Sequence, residues 1–326
     1  MANGKRVLVV DDDPSTVAVF QKILAADKWE VEISNSGRDA SSKIHPGKYD
    51  LVISDSASYA KGVVTGTNTL HIAYCHTPLR YAWESDRYFN WNSFWKLVSA
   101  PVFWYLRKWD LRAAQKPEIL IANSRYIAGK IKDYYKRDAE VIYPPVDLKV
   151  FYRDKKVKKG GYFLAVGRML PYKRFDLVIQ AFNRLNLPLL VAGDGPELEN
   201  LKKISKSSKI HFLPFTAEAE LRTLYNGAEA VVFPQTEDFG LVAAETQACG
   251  TPVIAYSRGG AREIIKDEET GILFNNQTVD DLIMAVKKFQ IKKFDSKTIR
   301  ASALRFSENK FKKAILKAVY AARDGK

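Results

Sequence analysis

The chain of 326 residues, 46% hydrophobic and 27% charged, is long enough for two ordinary domains that each bury a core. It carries a formal charge of +14 and two cysteines, Cys75 and Cys249, too few for a disulfide framework and in keeping with a reducing, cytoplasmic compartment. No run approaches the ~18 uninterrupted apolar residues of a spanning helix, and the opening MANGKRVLVV shows no signal-peptide pattern.

The charge is unevenly spread. Residues 1–147 hold 20 Lys and Arg against 17 Asp and Glu, a net of +3, which leaves +11 for the remainder. Beyond Val286 there are 13 basic residues and three acidic ones, Asp295, Glu308 and Asp324. Such a face attracts nucleic acid, anionic lipid or phosphorylated substrates, and equally serves solubility. No nucleic-acid-binding module accompanies it, so nucleic acid is not expected as a partner.

Strand-like apolar runs alternate with helical patterns almost throughout. RVLVV, WEVEIS, YDLVIS, TLHIAYC, EILIAN and AEVIYP come first, then GYFLAVG, LPLLVAG, KIHFLPF, EAVVFP and TPVIAY. Strands separated by helices imply parallel sheets covered on both faces. The prolines, basic residues and paired glycines of YPPVDLKVFYRDKKVKKGG mark a linker at about residues 144–160. The expected fold is α/β: two doubly wound, Rossmann-like parallel-sheet domains facing a cleft. The first covers 1–147, divided into 1–55 and 56–147. The second covers 148–305, and 306–326 is a C-terminal helix with Phe311, Ile315 and Val319 on one face.

The first strand runs into three aspartates, VLVVDDDPSTVAVF. Asp13 is placed to cap the following helix with Pro14 at its first position, which leaves Asp11 and Asp12 at the strand end. YDLVISD brings Asp55 to the end of the third strand. In TLHIAYCHTPLRYAWE, His76 follows a strand and precedes Thr77-Pro78, so its imidazole is expected to face the cleft, with Arg80 and Tyr81 nearby. His71, inside the strand, reads as structural. Residues 87–117 then interleave four tryptophans, three phenylalanines and two tyrosines with Lys and Arg. That mixture suits a membrane interface or a lipid-linked acceptor, and equally a packed helix pair.

Four patches follow in the second domain. AVGRMLPYKR sets Gly167, Arg168 and Lys173 after a strand, where two cations suit a diphosphate. LLVAGDGPELENL holds Gly193-Asp194-Gly195-Pro196, by itself an ordinary strand-to-helix connection. PQTEDFGLVAAETQACGTPVIAY spaces Glu237 and Glu245 around a helix opening at Gly240, whose amides can meet phosphate while Glu245 accepts from a ribose diol. In SRGGAREIIKDEETGILF, Gly259-Gly260 precedes a helix and Gly271 a strand; these glycines read as turn formers.

In order and spacing, the four patches resemble the nucleotide-sugar-binding domain of retaining glycosyltransferases of the GT-B fold, family four (group 1), from about residue 160 onward. Gly167-Arg168 to Lys173 matches the Gly-Arg-x4-Lys diphosphate motif, and Glu237 to Glu245 the Glu-x7-Glu motif. The resemblance implies a hexosyltransferase needing no metal or other cofactor. It would move mannose or glucose from a donor of the GDP-mannose or UDP-glucose type to a glycan or lipid-linked acceptor. Arg168 and Lys173 would stabilise the leaving diphosphate, Glu237 the sugar and Glu245 the ribose. Gly167, Gly240, Leu241 and Val242 would complete the donor site, with Phe212 of IHFLPF by the base.

From about residue 57 the first domain resembles the acceptor-side domain of polysaccharide mannosyltransferases. There His76 would contact the transferred sugar, with Arg80 and Tyr81 on the acceptor side. Residues 1–55 are similar instead to a response-regulator receiver domain, with Asp11 and Asp12 as metal-binding acids and Asp55 as phosphate acceptor. The receiver's later Ser/Thr and Lys are missing from their places, and DDDPST stands where family members carry a glycine-rich loop. The expectation is a chimeric front end on a glycosyltransferase, working in the cytoplasm with peripheral contact at the inner membrane face. Donor binding without transfer is the alternative, and a phosphorylation switch at Asp55 the third reading.

Overall fold

The computed structural model describes residues 5–45, 47–56, 59–85, 93–214 and 217–324. Residues 87–92 of the aromatic segment and Phe215 at the end of IHFLPF lie outside the described residues. The chain folds as two compact units: residues up to Tyr143 together with those from Phe311 onward, and Pro144–Lys310.

In the first unit the strands are β1 (Arg6–Val10), β2 (Glu30–Ser34), β3 (Leu51–Ser56), β4 (Leu70–Cys75), β5 (Ile119–Ala122) and β6 (Glu140–Val141). They form one parallel sheet in the order β2-β1-β3-β4-β5-β6. Alternation along β1 divides its side chains between two faces. Val7 and Val9 pack with Phe20, Ile23 and Leu24 of the helix Pro14–Ala25, while Leu8 and Val10 meet Ala40, Tyr49, Val52 and Val63. Val10 lies opposite Ser54 in the β1–β3 register, so Asp11, just past the end of β1, and Asp55, one residue further along β3, come side by side at the carboxyl end of the sheet.

The helix Glu308–Asp324 closes the first of these faces. Phe311, Ile315 and Val319 are buried there, with the Phe311 ring edge-on to Phe20 and Tyr74 at 5.8 and 5.9 Å. Tyr320 donates to Asp27 on the same side. The last segment thus completes the core of the unit that the first segment begins.

The helix Ser93–Ala113 carries the described part of the aromatic stretch. Packing of its rings is partial. Trp109 lies 5.2 Å from Tyr59, yet Phe94, Leu97, Val98, Val102, Trp104 and Tyr105 are all more than half exposed.

The second unit repeats the architecture with β7 (Phe163–Val166), β8 (Leu189–Ala192), β9 (Ile210–Leu213), β10 (Val231–Phe233), β11 (Val253–Tyr256) and β12 (Gly271–Phe274). Their parallel order is β12-β11-β10-β7-β8-β9. Val178, Ile179 and Phe182 from helix Phe175–Leu185 share a core with Leu282, Val286 and Phe289 from helix Val279–Gln290. Phe163 sits edge-on between Phe182 and Phe289, at 5.3 and 5.7 Å.

Candidate active site

In the second unit, β7 ends at Val166 and the chain turns at Gly167, whose φ of 141° suits glycine. Two loops meet here backbone to backbone. A Cβ on Gly193 would stand 2.1 Å from the Gly167 carbonyl oxygen, and one on Gly195 2.5 Å from that of Met169. The Gly-Asp-Gly turn is therefore more than an ordinary connection. Together with Gly167, Arg168 and Leu221 it walls a cavity of about 420 Å³. Leu221 comes from the helix Glu218–Gly227, which nothing in the sequence marks as part of a site. Phe212 packs against the core and is not among the described residues lining this cavity.

A short 3-10 turn, Pro171–Lys173, places Lys173 in an ion pair with Glu237, each side chain 17% exposed. The pair joins the first motif to the third. Glu237 is held from behind by its own backbone: Gly260 donates its amide to the Glu237 carbonyl at 2.9 Å. A Cβ on Gly259 would come within 2.2 Å of that same oxygen. The paired glycines thus permit a close approach that fixes the Glu237 loop.

Gly240, at φ 104°, precedes the helix Leu241–Ala248. The amides of Ala243 and Ala244 both donate to the Gly240 carbonyl, whereas those of Leu241 and Val242 come too early for a partner within the helix. Amides so placed at a helix start suit an anion. Glu245 lies just over one turn in. Burial pushes its carboxyl up to about 7, opposed by a hydrogen bond from the Tyr225 hydroxyl at 3.2 Å.

In the first unit, Asp11, Asp12 and Asp55 line a cavity of about 260 Å³ with Ser36 and Gly37. Asp55 is 2% exposed, and its Oδ1 lies 2.7 Å from His76 Nε2. It faces a histidine across neighbouring strands rather than solvent. Burial, reinforced by the Asp55 charge, pushes the Asp11 carboxyl up to about 7, although the Asp13 amide donates to it at 2.9 Å. Among the described residues no three His, Cys, Asp or Glu side chains are grouped to hold a metal ion. Asp13 accepts the first helical hydrogen bond, from Val17, as a capping residue should. His71 is fully buried, 2.8 Å from the Ser54 hydroxyl, and burial lowers its pKa to about 4.

Arg80 and Tyr81 open the short helix Arg80–Trp83, Tyr81 more than half exposed. What steadies this segment escaped the sequence reading. Asp110, fully buried in the aromatic helix, lies 2.7 Å from the buried Lys61 ammonium. It accepts from Trp83 Nε1 at 2.8 Å, from the Tyr135 hydroxyl at 2.7 Å and from the Leu79 amide at 3.3 Å. A lone acid among aromatic and basic residues gave no sign of this; only its burial does.

Residues 150–312, half of the chain, match the model of the family Glycosyl transferases group 1. The chain belongs to this family. Residues 23–150 of this group 1 glycosyl transferase match the model of Glycosyltransferase Family 4, which starts inside the segment that resembles a receiver and takes in most of it. A D-inositol 3-phosphate glycosyltransferase of Mycobacteroides abscessus is 31% identical over 208 residues, 56% of this chain and 47% of that protein. The chain spans about half the length of the curated relatives it matches. Among solved structures, sucrose-phosphate synthase from Thermosynechococcus elongatus superposes with a TM-score of 0.80 at 17% identity, covering 99% of this chain and 100% of that one. Anabaena Alr3699/HepE in complex with UDP-glucose gives 0.75 at 16% identity, covering 97% and 99%. These likenesses establish the fold, two parallel-sheet α/β units of the GT-B type.

Proposed function

We propose that this glycosyl transferase moves a hexose, mannose or glucose, with retention of configuration, from a nucleotide-diphospho-sugar to a glycan or lipid-linked acceptor. Donors of the UDP-glucose or GDP-mannose type fit the reading, and the UDP-glucose held by the structural neighbour supports the former. We assign acceptor recognition to residues 1–147 and donor recognition to 148–305. The observation that carries the proposal is the ion pair of Lys173 with Glu237, side chains from two separate motifs meeting at one point.

A donor diphosphate would draw Lys173 away from Glu237, freeing that carboxylate to accept from sugar hydroxyls. Arg168, exposed on the cavity wall, adds a fork of donors. As the sugar bond breaks, negative charge grows on the diphosphate, and cations fixed beside it lower the barrier. The amides of Leu241 and Val242, with Gly167 and Gly240 allowing close approach, complete the phosphate site, and ionised Glu245 takes the ribose diol. In this reading the charge needed at the diphosphate comes from side chains, with no metal or other cofactor. In the first unit we assign His76, oriented by buried Asp55, to the transferred sugar, and Arg80 and Tyr81 to the acceptor.

Thermal unfolding with UDP, GDP, ADP and their sugars tests the donor assignment. One of these families should raise the melting temperature, and no shift with any of them would sink it. A second reading, donor binding without transfer, is favoured by two buried acids, Asp11 just past β1 and Asp55 on β3, whose charge would oppose a diphosphate. Turnover of the stabilising nucleotide-sugar with a saccharide acceptor would remove that reading.

A further inference from the structure

No helix among the described residues is long and apolar enough to cross a membrane. One helix nonetheless exposes what a soluble surface normally hides. On Ser93–Ala113, Phe94, Leu97, Val98, Val102 and Tyr105 recur at helical spacing and are 64, 76, 52, 58 and 63% exposed. Trp104, 63% exposed, flanks the stripe. The next positions along the same line are exposed Lys108 and Arg112. Lys108 Nζ stands 5.8 Å from the centre of the Trp104 ring.

The order along the stripe argues for the occupant. From the amino end it reads aliphatic and Phe, then Trp and Tyr, then cations. That is the sequence of environments met on leaving hydrocarbon, through the interfacial belt, to phosphate headgroups. A protein partner calls for no such gradient, and cations at the wet end complement an anionic leaflet. We propose that this helix face docks on an anionic lipid bilayer, its amino-terminal turns entering the interface and Lys108 and Arg112 meeting lipid phosphates. The docking shares no residue with the transfer site and is measured without sugar transfer, so either proposal can fail alone.

Flotation of the full chain with vesicles tests it, using phosphatidylcholine alone and an equal mixture of phosphatidylcholine and phosphatidylglycerol. The protein should float with the mixed vesicles, less so as salt rises, and stay behind with phosphatidylcholine alone. Lys108→Ala with Arg112→Ala should lower partition roughly 30-fold at low salt, about fivefold per cation. Leu97→Asp with Val102→Asp should abolish it while the melting temperature holds, since both side chains are exposed. Absence of flotation in low salt would overturn the proposal, as would flotation indifferent to the Asp pair. A dimer in sedimentation that the Asp pair dissociates would also overturn it, by showing a second copy on this face.

Discussion

Glu245 couples the candidate site to pH. Its carboxyl is raised from 4.5 to about 7 by burial, so between those values the folded chain keeps a proton that the unfolded chain has lost. Its contribution to stability therefore falls as pH rises through that window. Holding a ribose diol needs the ionised form, so donor affinity should move the other way. Calorimetry should show affinity for the stabilising nucleoside diphosphate rising up to tenfold from about pH 6 to about pH 8, with Glu245→Gln flattening the rise. Asp55 makes the second residue-scale prediction. If it orients His76, Asp55→Asn should lower kcat about tenfold to a hundredfold with KM little changed. Equal loss in the unfolding midpoint would instead mark the pair as structural. Lys173 and Glu237 were readable as candidates from motif spacing, and His76 from its place after a strand and before Thr77-Pro78. The Asp55–His76 pair was not, because it forms across β3 and β4, where Asp55 stands opposite Tyr74, two residues before His76.

At the scale of elements, the strand-to-helix loops decide the site. Gly193 at φ 136° pressed on the Gly167 carbonyl leaves no room for a methyl group. Gly193→Ala should destabilise the second unit by roughly 3 kcal/mol, seen as a lower urea midpoint, and weaken nucleotide binding under native conditions. An unchanged midpoint would mean that the two loops do not hold each other. Apolar runs made the inner strands readable, because parallel strands buried on both faces are apolar throughout, whereas the edge strand β2, Glu30–Ser34, shows itself by alternation of polar and apolar residues. The contact between the Gly167 and Gly193 turns was not readable, since a glycine used for close approach looks the same in sequence as one used for a turn. The aromatic helix was half legible: its composition gave the choice between packing and an interface, and only exposure separates the Trp109 side from the Phe94 stripe.

Over the whole molecule, the first unit is not a continuous stretch of chain. Phe311, Ile315 and Val319 return to cover Phe20, Ile23 and Tyr74. Ile315→Ala should cost about 2–5 kcal/mol, with the loss falling on the first unit and nucleotide binding retained. Periodicity announced an amphipathic helix there, but which core it serves depends on contacts nearly 300 residues apart, such as Tyr320 with Asp27. The DDDPST segment shows the converse. Its acids Asp11 and Asp12, with Asp55, carry the resemblance to a receiver, whereas the Glycosyltransferase Family 4 match opens at residue 23 and takes in β2 and β3 with Asp55, but not β1. The central claim is that Lys173 and Glu237 meet to hold a nucleotide-diphospho-sugar. Titration calorimetry of UDP, GDP and ADP into the chain and into Lys173→Ala addresses it directly. One of these nucleotides should bind at a single site, about tenfold or more weakly in the variant. Absence of binding to all three, or equal affinity in the variant, would contradict it.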